Sequence, residues 1–126
     1  MSSLGTTQAT VFVLTRDRTL SKPFYGQVLG LTLTADGDYS SVFDLNGQQL
    51  HLTTAKDHVA SPHPVLGWAV SDIVATAQDL VTKGVRFTIY DGYGQDALGI
   101  YAAPDGGSKM AWFADPDGNM LSLSQG

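Results

Sequence analysis

The strongest constraint on the fold of this chain is a short segment that occurs twice. Residues 44–52 read DLNGQQLHL and residues 115–123 read DPDGNMLSL, an offset of 71 (115 minus 44) at which an aspartate, a glycine and two leucines coincide. Each copy joins a turn motif to a short strand with alternating apolar residues. Because internal repeats mark repeated structural units, the 126-residue chain is predicted to contain one module twice.

The segments before each copy also follow one order. Residues 9–15 (ATVFVLT) and 65–71 (VLGWAVS) are rich in β-branched and apolar residues and are predicted strands. A helix follows each strand; Asp72 caps the second helix, and we expect Pro23 in the first turn of the first. The expected buried stripes are Leu20, Phe24 and Val28, widened by Tyr25 and Leu29, in the first helix and Val74, Ala77 and Val81 in the second.

Further strands complete each half, which is therefore predicted to be a βαβββ unit. In the first half, Asp36-Gly37 and Asn46-Gly47 are typical of tight hairpin turns. In the second half, the predicted strands are VRFTIYDG, GIYAAP, SKMAWFA and NMLSLS, the last two joined by a turn at residues 115–118.

The two halves differ in length. Their first strands are 55 residues apart (65 minus 10) and their last strands 71, so the second half has about sixteen extra residues (71 minus 55), between Asp91 and Ser108. This is where we expect ligand specificity, because binding residues concentrate on loops. We predict a single domain over residues 1–126, with module one at about 9–55, a linker at 56–64 and module two at about 65–124.

Composition excludes several classes of function. The chain has no cysteine, which excludes disulfides and thiolate metal sites. Seven Lys+Arg against twelve Asp+Glu give a net charge of −5 without a basic cluster, so we expect no nucleic-acid partner. No run approaches the roughly 18 apolar residues of a membrane span, and residues 1–7 lack a signal-peptide pattern. We therefore expect no membrane partner and a cytoplasmic location.

Three segments resemble the vicinal oxygen chelate superfamily, which includes glyoxalase I, extradiol dioxygenases, fosfomycin-resistance enzymes and bleomycin-binding proteins. They are PFYGQVLGL (23–31), GWAVSDI (67–73) and FADPDGNMLSL (113–123). The resemblance spans about residues 9–124 and implies an α+β fold in which two tandem βαβββ modules form an open, cupped mixed sheet with helices on the convex face. It also implies a homodimer.

Strand alternation predicts which side chains face the cup. Residues two apart in a strand share a face, so Leu50 and Leu52 point towards a helix and His51 towards the cup. The same rule places Ser122 in the cup. In the two first strands it places Thr10, Phe12 and Leu14, and then Val65, Gly67 and Ala69, in the cup, with Leu66 and Trp68 beneath a helix.

The metal-using members of the superfamily place four ligands in the cup, one on each symmetry-related strand. The resemblance puts these positions at Thr10, His51, Val65 and Ser122. Only His51 is a competent ligand, because valine has no donor atom and neutral hydroxyls bind divalent transition metals weakly. We therefore expect no metal ion and no cofactor.

Two other motifs invite a metal interpretation that we do not favour. His58 and His63 lie in the linker without carboxylate support beyond Asp57, and we expect solvent-exposed chain. Residues 115–118 (DPDG) lack the alternating donors and closing glutamate of an EF-hand, so we expect them to set turn geometry.

We expect the partner to be a small organic molecule, aromatic or cationic. The predicted ligand contacts are Thr10, Phe12, His51, Val65, Gly67 and Ser122 in the cup and Tyr93, Asp96, Tyr101 and Trp112 from the elaborated second half. The leading hypothesis is a metal-free small-molecule-binding protein. One alternative is a lyase or isomerase that uses His51 as acid or base, and another is a divalent-metal enzyme of glyoxalase or dioxygenase type.

Overall fold

The computed structural model describes residues 3–126; the first two residues of the segment 1–7, for which no signal-peptide pattern was found, lie outside this range. The chain forms two compact units, Met1–His58 and Val59–Gly126, and the boundary falls within the predicted linker. The first unit contains β1 (Thr10–Thr15), α1 (Arg18–Pro23), β2 (Thr32–Asp36), β3 (Ser40–Leu45) and β4 (Gln48–Thr54). The second unit contains β5 (Pro64–Ala69), α2 (Ile73–Thr82), β6 (Tyr101–Ala102), β7 (Lys109–Ala114) and β8 (Met120–Gln125).

Each unit has one four-stranded mixed sheet with the same topology. The strand orders are β1-β4-β3-β2 and β5-β8-β7-β6. The pairs β1–β4 and β5–β8 are parallel, whereas the other pairs are antiparallel. In the chain, α1 lies between β1 and β2, and α2 lies between β5 and β6. These are the two edge strands of each sheet and they run in the same direction, as a βαβββ unit requires. The predicted α+β class with two tandem βαβββ modules is confirmed.

The prediction for Pro23 was wrong. Helix α1 begins after Asp17, whose Oδ1 accepts a hydrogen bond from the Thr19 N–H at 2.9 Å, and Pro23 is its last residue. Proline has no N–H to donate and its ring crowds the carbonyl four residues earlier. The chain continues as one π-helical segment, Phe24–Val28, in which the Leu29 N–H donates to the Phe24 carbonyl at 2.9 Å.

The predicted helix stripes agree only in part with the observed ones. In the first helical segment Tyr25 is fully buried, as predicted, and Phe24 and Val28 are half-buried, but Leu20 is 67% exposed. In α2 the residues Ile73, Ala77 and Leu80 are buried, as predicted only for Ala77. Adjacent apolar pairs at 73–74 and 80–81 fit two helical stripes equally well, and periodicity alone does not choose between them.

Residues 85–92 (VRFTIYDG) do not form the predicted strand. They contact β7 through a bridge between Phe87 and Phe113, which includes the hydrogen bond from the Thr88 N–H to the Trp112 carbonyl at 2.7 Å. The next backbone groups, the Thr88 carbonyl and the Tyr90 N–H, form hydrogen bonds with the Gln95 side chain instead of with a neighbouring strand. The predicted GIYAAP strand shortens to β6.

The two hairpins that end the units differ in their turns. The β3–β4 turn is the two-residue Asn46-Gly47, with φ of 56° and 103°, which is typical of type I′ hairpins. The β7–β8 turn spans residues 115–119, and Asp115 Oδ1 accepts from the N–H groups of Asp117 and Asn119, each at 2.9 Å. The second motif therefore sets turn geometry, as predicted. In the linker, His63 is exposed and His58 is half-buried.

Each sheet has one face packed on its own helix, which we call the helix face, and an opposite, helix-free face. Residues Val13, Leu50 and Leu52 of the first sheet are buried on the helix face. The equivalent positions in the second sheet hold Leu121 and Leu123, which are also buried. Among residues 3–126, no helix is long and apolar enough to cross a membrane.

Candidate ligand-binding site

The helix-free face of the first sheet carries a stacked pair of rings. Strands β1 and β4 pair Phe12 with His51, and the two rings lie 5.1 Å apart between centroids at 29°. Phe12 is 64% exposed, and Leu14 on the same face is also exposed. Thr10 is the exposed residue that begins this face. Strand alternation thus placed these side chains where the structure has them.

His51 is held by a second contact. Its Nε2 lies 3.2 Å from Gln49 Oε1, so in the tautomer protonated at this nitrogen the imidazole donates to the amide oxygen. Gln49 is two residues away in β4 and shares the helix-free face. The imidazole is therefore oriented by the Phe12 ring stacked on it and by the Gln49 amide.

The helix-free face of the second sheet is flat where β5 meets β8. Gly67 pairs with Ser122, and a Cβ at position 67 would collide with the Ser122 hydroxyl. The Ser122 side chain therefore occupies the space that glycine leaves open. Val65, which is 43% exposed, lies at a register shift in the β5–β8 pairing, between Pro64 and Leu66, so strand alternation does not fix its face as predicted.

The four positions that the resemblance assigns to metal ligands hold a donor set that does not fit a divalent metal. In the first unit they are Thr10 and His51, and in the second Val65 and Ser122. One imidazole and two neutral hydroxyls offer little compensation for dehydrating such an ion, and Val65 offers no donor. Within residues 3–126, no group of three or more His, Asp or Glu residues is arranged to hold a metal.

Three predicted ligand-contacting aromatics come together on the helix-free face of the second sheet. Tyr93 lies 5.5 Å from Tyr101 and 6.0 Å from Trp112, measured between ring centroids. Tyr101 and Trp112 are 6.2 Å apart. Trp112 pairs with Ser122 across β7 and β8, so this cluster adjoins the flat surface at Gly67.

Tyr90 is a fourth member of this cluster, and it was not predicted from the sequence. The Tyr90 ring lies 5.6 Å from Tyr93 and 5.5 Å from Trp112. Its place just before the extra segment, three residues from Tyr93, was the available signal. We refer to Tyr90, Tyr93, Tyr101 and Trp112 as the aromatic cluster.

Asp96 organises the loop that follows the aromatic cluster's first two members. Its Oδ1 accepts hydrogen bonds from the N–H groups of Leu98 and Ile100, each at 2.9 Å. Its own N–H donates to the Ile100 carbonyl at 3.0 Å. This oxygen is therefore engaged with loop backbone rather than directed at the rings.

A polar network lies elsewhere in the first unit, beside α1. Arg18 donates to Thr54, Asp36 and Ser41, and Lys22 donates to Asp36 at 2.6 Å. The hydrogen bond from Lys22, followed by that from Ser41, lowers the pKa of the Asp36 carboxyl below its ordinary value. Arg18, Lys22 and Asp36 line a groove of about 550 Å³ between α1 and the β2–β3 hairpin. None of the predicted site residues lies in it.

The family model for the Glyoxalase/Bleomycin resistance protein/Dioxygenase superfamily matches residues 7–123. The two βαβββ units described above agree with this match, and this chain belongs to the superfamily. No curated protein is similar enough in sequence to give a significant match.

Solved structures with the same fold come from several bacteria. A glyoxalase/bleomycin resistance protein/dioxygenase from Alicyclobacillus acidocaldarius has a TM-score of 0.72 at 19% identity, covering 95% of this chain and 91% of that one. A glyoxalase/bleomycin resistance protein from Catenulispora acidiphila gives 0.71 at 18%, covering 94% and 97%. Lactoylglutathione lyase from Agrobacterium tumefaciens gives 0.73 at 14%, covering 96% and 94%. At these identities the similarity concerns the fold.

Proposed function

We propose that this chain is a small-molecule-binding protein that binds an aromatic or cationic organic ligand on its aromatic cluster without a metal ion. The main support for this proposal is that the rings of Tyr90, Tyr93, Tyr101 and Trp112 pack together on one helix-free face. Aromatic side chains provide large contact area and favourable stacking geometry for planar ligands. Three members belong to the extra segment or its borders, where the second unit departs from the first.

The spacing of the rings constrains how a ligand would bind. Centroid distances of 5.5 to 6.2 Å are contact distances, so the rings pack on one another and leave no gap for a ligand between them. A ligand would instead stack on the outer side of the cluster, where Tyr93 is 51% exposed. The net charge of −5 favours a cationic molecule, which the ring faces would also attract.

The two tryptophans allow a direct test by fluorescence. Trp112 belongs to the cluster, whereas Trp68 is half-buried and alternates with Gly67, which places it on the helix face. We would titrate an acridinium dye, a neutral acridine and a naphthalene sulfonate into the wild type, Trp112→Phe and Trp68→Phe. The expected result is quenching by the cationic dye that persists in Trp68→Phe and disappears in Trp112→Phe.

Affinity provides the second arm of the test. Tyr93→Ala should weaken binding of the acridinium dye by roughly tenfold, the upper range for one aromatic contact. Tyr39→Ala is the matched control, because Tyr39 is 79% exposed and lies between β2 and β3. Equal affinities in the two variants, or no binding of any of the three probes, would contradict the proposed function.

A catalytic role for His51 is the alternative, favoured by its defined orientation between Phe12 and Gln49. Turnover of a bound molecule that His51→Ala abolishes, with binding retained, would support a lyase or isomerase. Stoichiometric divalent metal that is lost in the same variant would instead support an enzyme of glyoxalase or dioxygenase type.

We also propose that the chain acts in the cytoplasm as a homodimer, as the superfamily resemblance implies. Light scattering coupled to gel filtration would test the assembly. A mass of 13.4 kDa, that of one chain, would contradict it.

A further inference from the structure

The segment that carries Tyr90 is held without a partner strand. Its last strand-like contacts to β7 are made at Phe87 and Thr88. From there on, the backbone of residues 88–90 bonds to one side chain, Gln95. The Tyr90 N–H donates to Gln95 Oε1 at 2.7 Å, and Gln95 Nε2 donates to the Thr88 carbonyl at 2.9 Å.

The chemistry of these bonds requires a primary amide. A neighbouring strand offers an acceptor and a donor to the residues it pairs with, and the glutamine side chain offers both from one planar group. Its Nε2 donates a second hydrogen bond, to the Gly99 carbonyl at 2.7 Å, which ties together both ends of the loop. Gln95 is half-buried, so water competes poorly for these groups.

The result is that the backbone of residues 88–90 is held at several groups. The Thr88 N–H bonds to the carbonyl of Trp112, and Gln95 bonds to the Thr88 carbonyl and the Tyr90 N–H. The Tyr90 ring then meets the Trp112 ring edge-on, 5.5 Å away at 82°. Tyr93 follows in the same loop, and its N–H donates to the Tyr90 carbonyl at 3.3 Å.

We propose that Gln95 is the positioning residue of the aromatic cluster. Its side-chain amide stands in for a missing strand and fixes Tyr90 and Tyr93 against Trp112. This inference rests on the proposed function for its consequence in ligand binding, but not for its structural content, and the two can fail separately.

The sharpest variant is Gln95→Glu, which keeps the length and shape of the side chain. A carboxylate can still accept from the Tyr90 N–H but cannot donate to the carbonyls of Thr88 and Gly99. Gln78→Glu is the matched control, because Gln78 is an exposed residue of α2 in the same unit and the charge change is equal.

Amide exchange and aromatic spectroscopy measure the effect without a ligand. In Gln95→Glu at pH 7 the Tyr90 amide should exchange roughly tenfold faster than in the wild type, as expected when two donor bonds are lost. The near-ultraviolet circular dichroism of the coupled rings should decrease. Acidification to pH 5 should restore part of that signal, because a protonated carboxyl donates again, while Gln78→Glu shows neither the loss nor the recovery.

The outcomes are decisive for each idea separately. Unchanged exchange and dichroism in Gln95→Glu would overturn the positioning role whether or not the acridinium dye binds. Loss of both signals with unchanged dye affinity would uphold the positioning role and overturn the proposed function. If Gln95→Glu does not fold, Gln95→Met, which removes the amide without adding charge, gives the same comparison, and native exchange at Tyr90 in that variant would overturn the proposal.

Discussion

In both units the first residue of the helix forms a hydrogen bond with the end of the last strand, but the atoms that form this bond differ. In the first unit, Arg18 begins α1 and its Nε donates to Thr54 Oγ1, near the end of β4, at 2.9 Å. In the second, Ile73 begins α2 and its backbone N–H donates to Gln125 Oε1, at the end of β8, at 2.7 Å. The repeat offsets of 55 (73 minus 18) and 71 (125 minus 54) make these pairs equivalent.

The surroundings of this contact differ in polarity. Arg18 spreads its remaining donors over Ser41 at 2.9 Å and the Asp38 carbonyl at 2.6 Å, tying the helix to the β2–β3 hairpin. Ile73 has no exposed surface and packs in the apolar core of its unit. The repeat has therefore kept the connection between helix and last strand while exchanging a polar network for apolar packing.

The helix-free faces differ in the same way. Val42 pairs with His51 in the first sheet, and Trp112 pairs with Ser122 at the equivalent place in the second. The helix-free face of the first sheet carries Phe12 stacked on His51, whereas that of the second sheet carries the aromatic cluster. Because the shared topology leaves the face residues free to vary, the two sheets carry different side chains on the same framework, and the aromatic cluster lies on the second sheet.

Among equivalent positions in the two units, we expect substitution of the two turn aspartates, Asp44 and Asp115, to give the largest difference in the free energy of unfolding. Asp115 is buried and accepts from three N–H groups, two on the backbone and one on the side chain of Asn119. Asp44 is exposed and accepts one hydrogen bond, from Gly47. Asp115→Ala should therefore lower the free energy of unfolding by about 2–3 kcal/mol and Asp44→Ala by about 0.5–1 kcal/mol.

Urea denaturation of both variants measures this contrast. Asn46→Gly serves as a control for turn conformation, because glycine accepts the positive φ of 56° at this position. Equal losses at Asp44 and Asp115 would show that burial does not distinguish the two turns.

A smaller effect is expected from the network around Arg18. Arg18→Met keeps the aliphatic stem but loses the guanidinium donors to Thr54 and Ser41, so we expect a loss of about 1–2 kcal/mol in the free energy of unfolding. Lys83→Met is the control: it removes one exposed ion pair, with Asp79 at 3.0 Å, for which we expect less than about 0.5 kcal/mol. A loss at Arg18 no greater than at Lys83 would mean that the network adds nothing to packing.

Much of this organisation was predictable from the sequence, because strand alternation has a period of two and permits only two assignments. That period correctly placed His51, Gly67 and Ser122 on helix-free faces. Helix phase was less determinate, since neighbouring apolar residues such as Ile73 and Val74 each suit a stripe. Only the fold shows which of them is buried.

The parts that could not be predicted depend on long-range polar contacts. Residues 85–91 have strand-like composition, but whether they pair is decided by a glutamine that follows them in the loop. Propensity describes single residues and carries no information about such a bond. Tyr90 was missed as a member of the aromatic cluster for the same reason, because its ring position follows from Gln95.

The smallest effect we expect is a change in the pH dependence of stability, and it comes from Asp36 in the first unit. Because Lys22 and Ser41 lower the pKa of Asp36 in the folded protein, the folded state binds fewer protons than the unfolded chain near the ordinary carboxyl pKa of about 3.9. The stabilisation is thus fully present above that pH and is lost as the pH falls through the lower, folded value. Lys22→Met removes the largest cause, so between pH 5 and pH 3 its urea midpoint should fall less than that of the wild type. Lys83→Met, with the same change in net charge, should follow the wild type, and identical slopes in all three proteins would assign the acid sensitivity to other carboxylates.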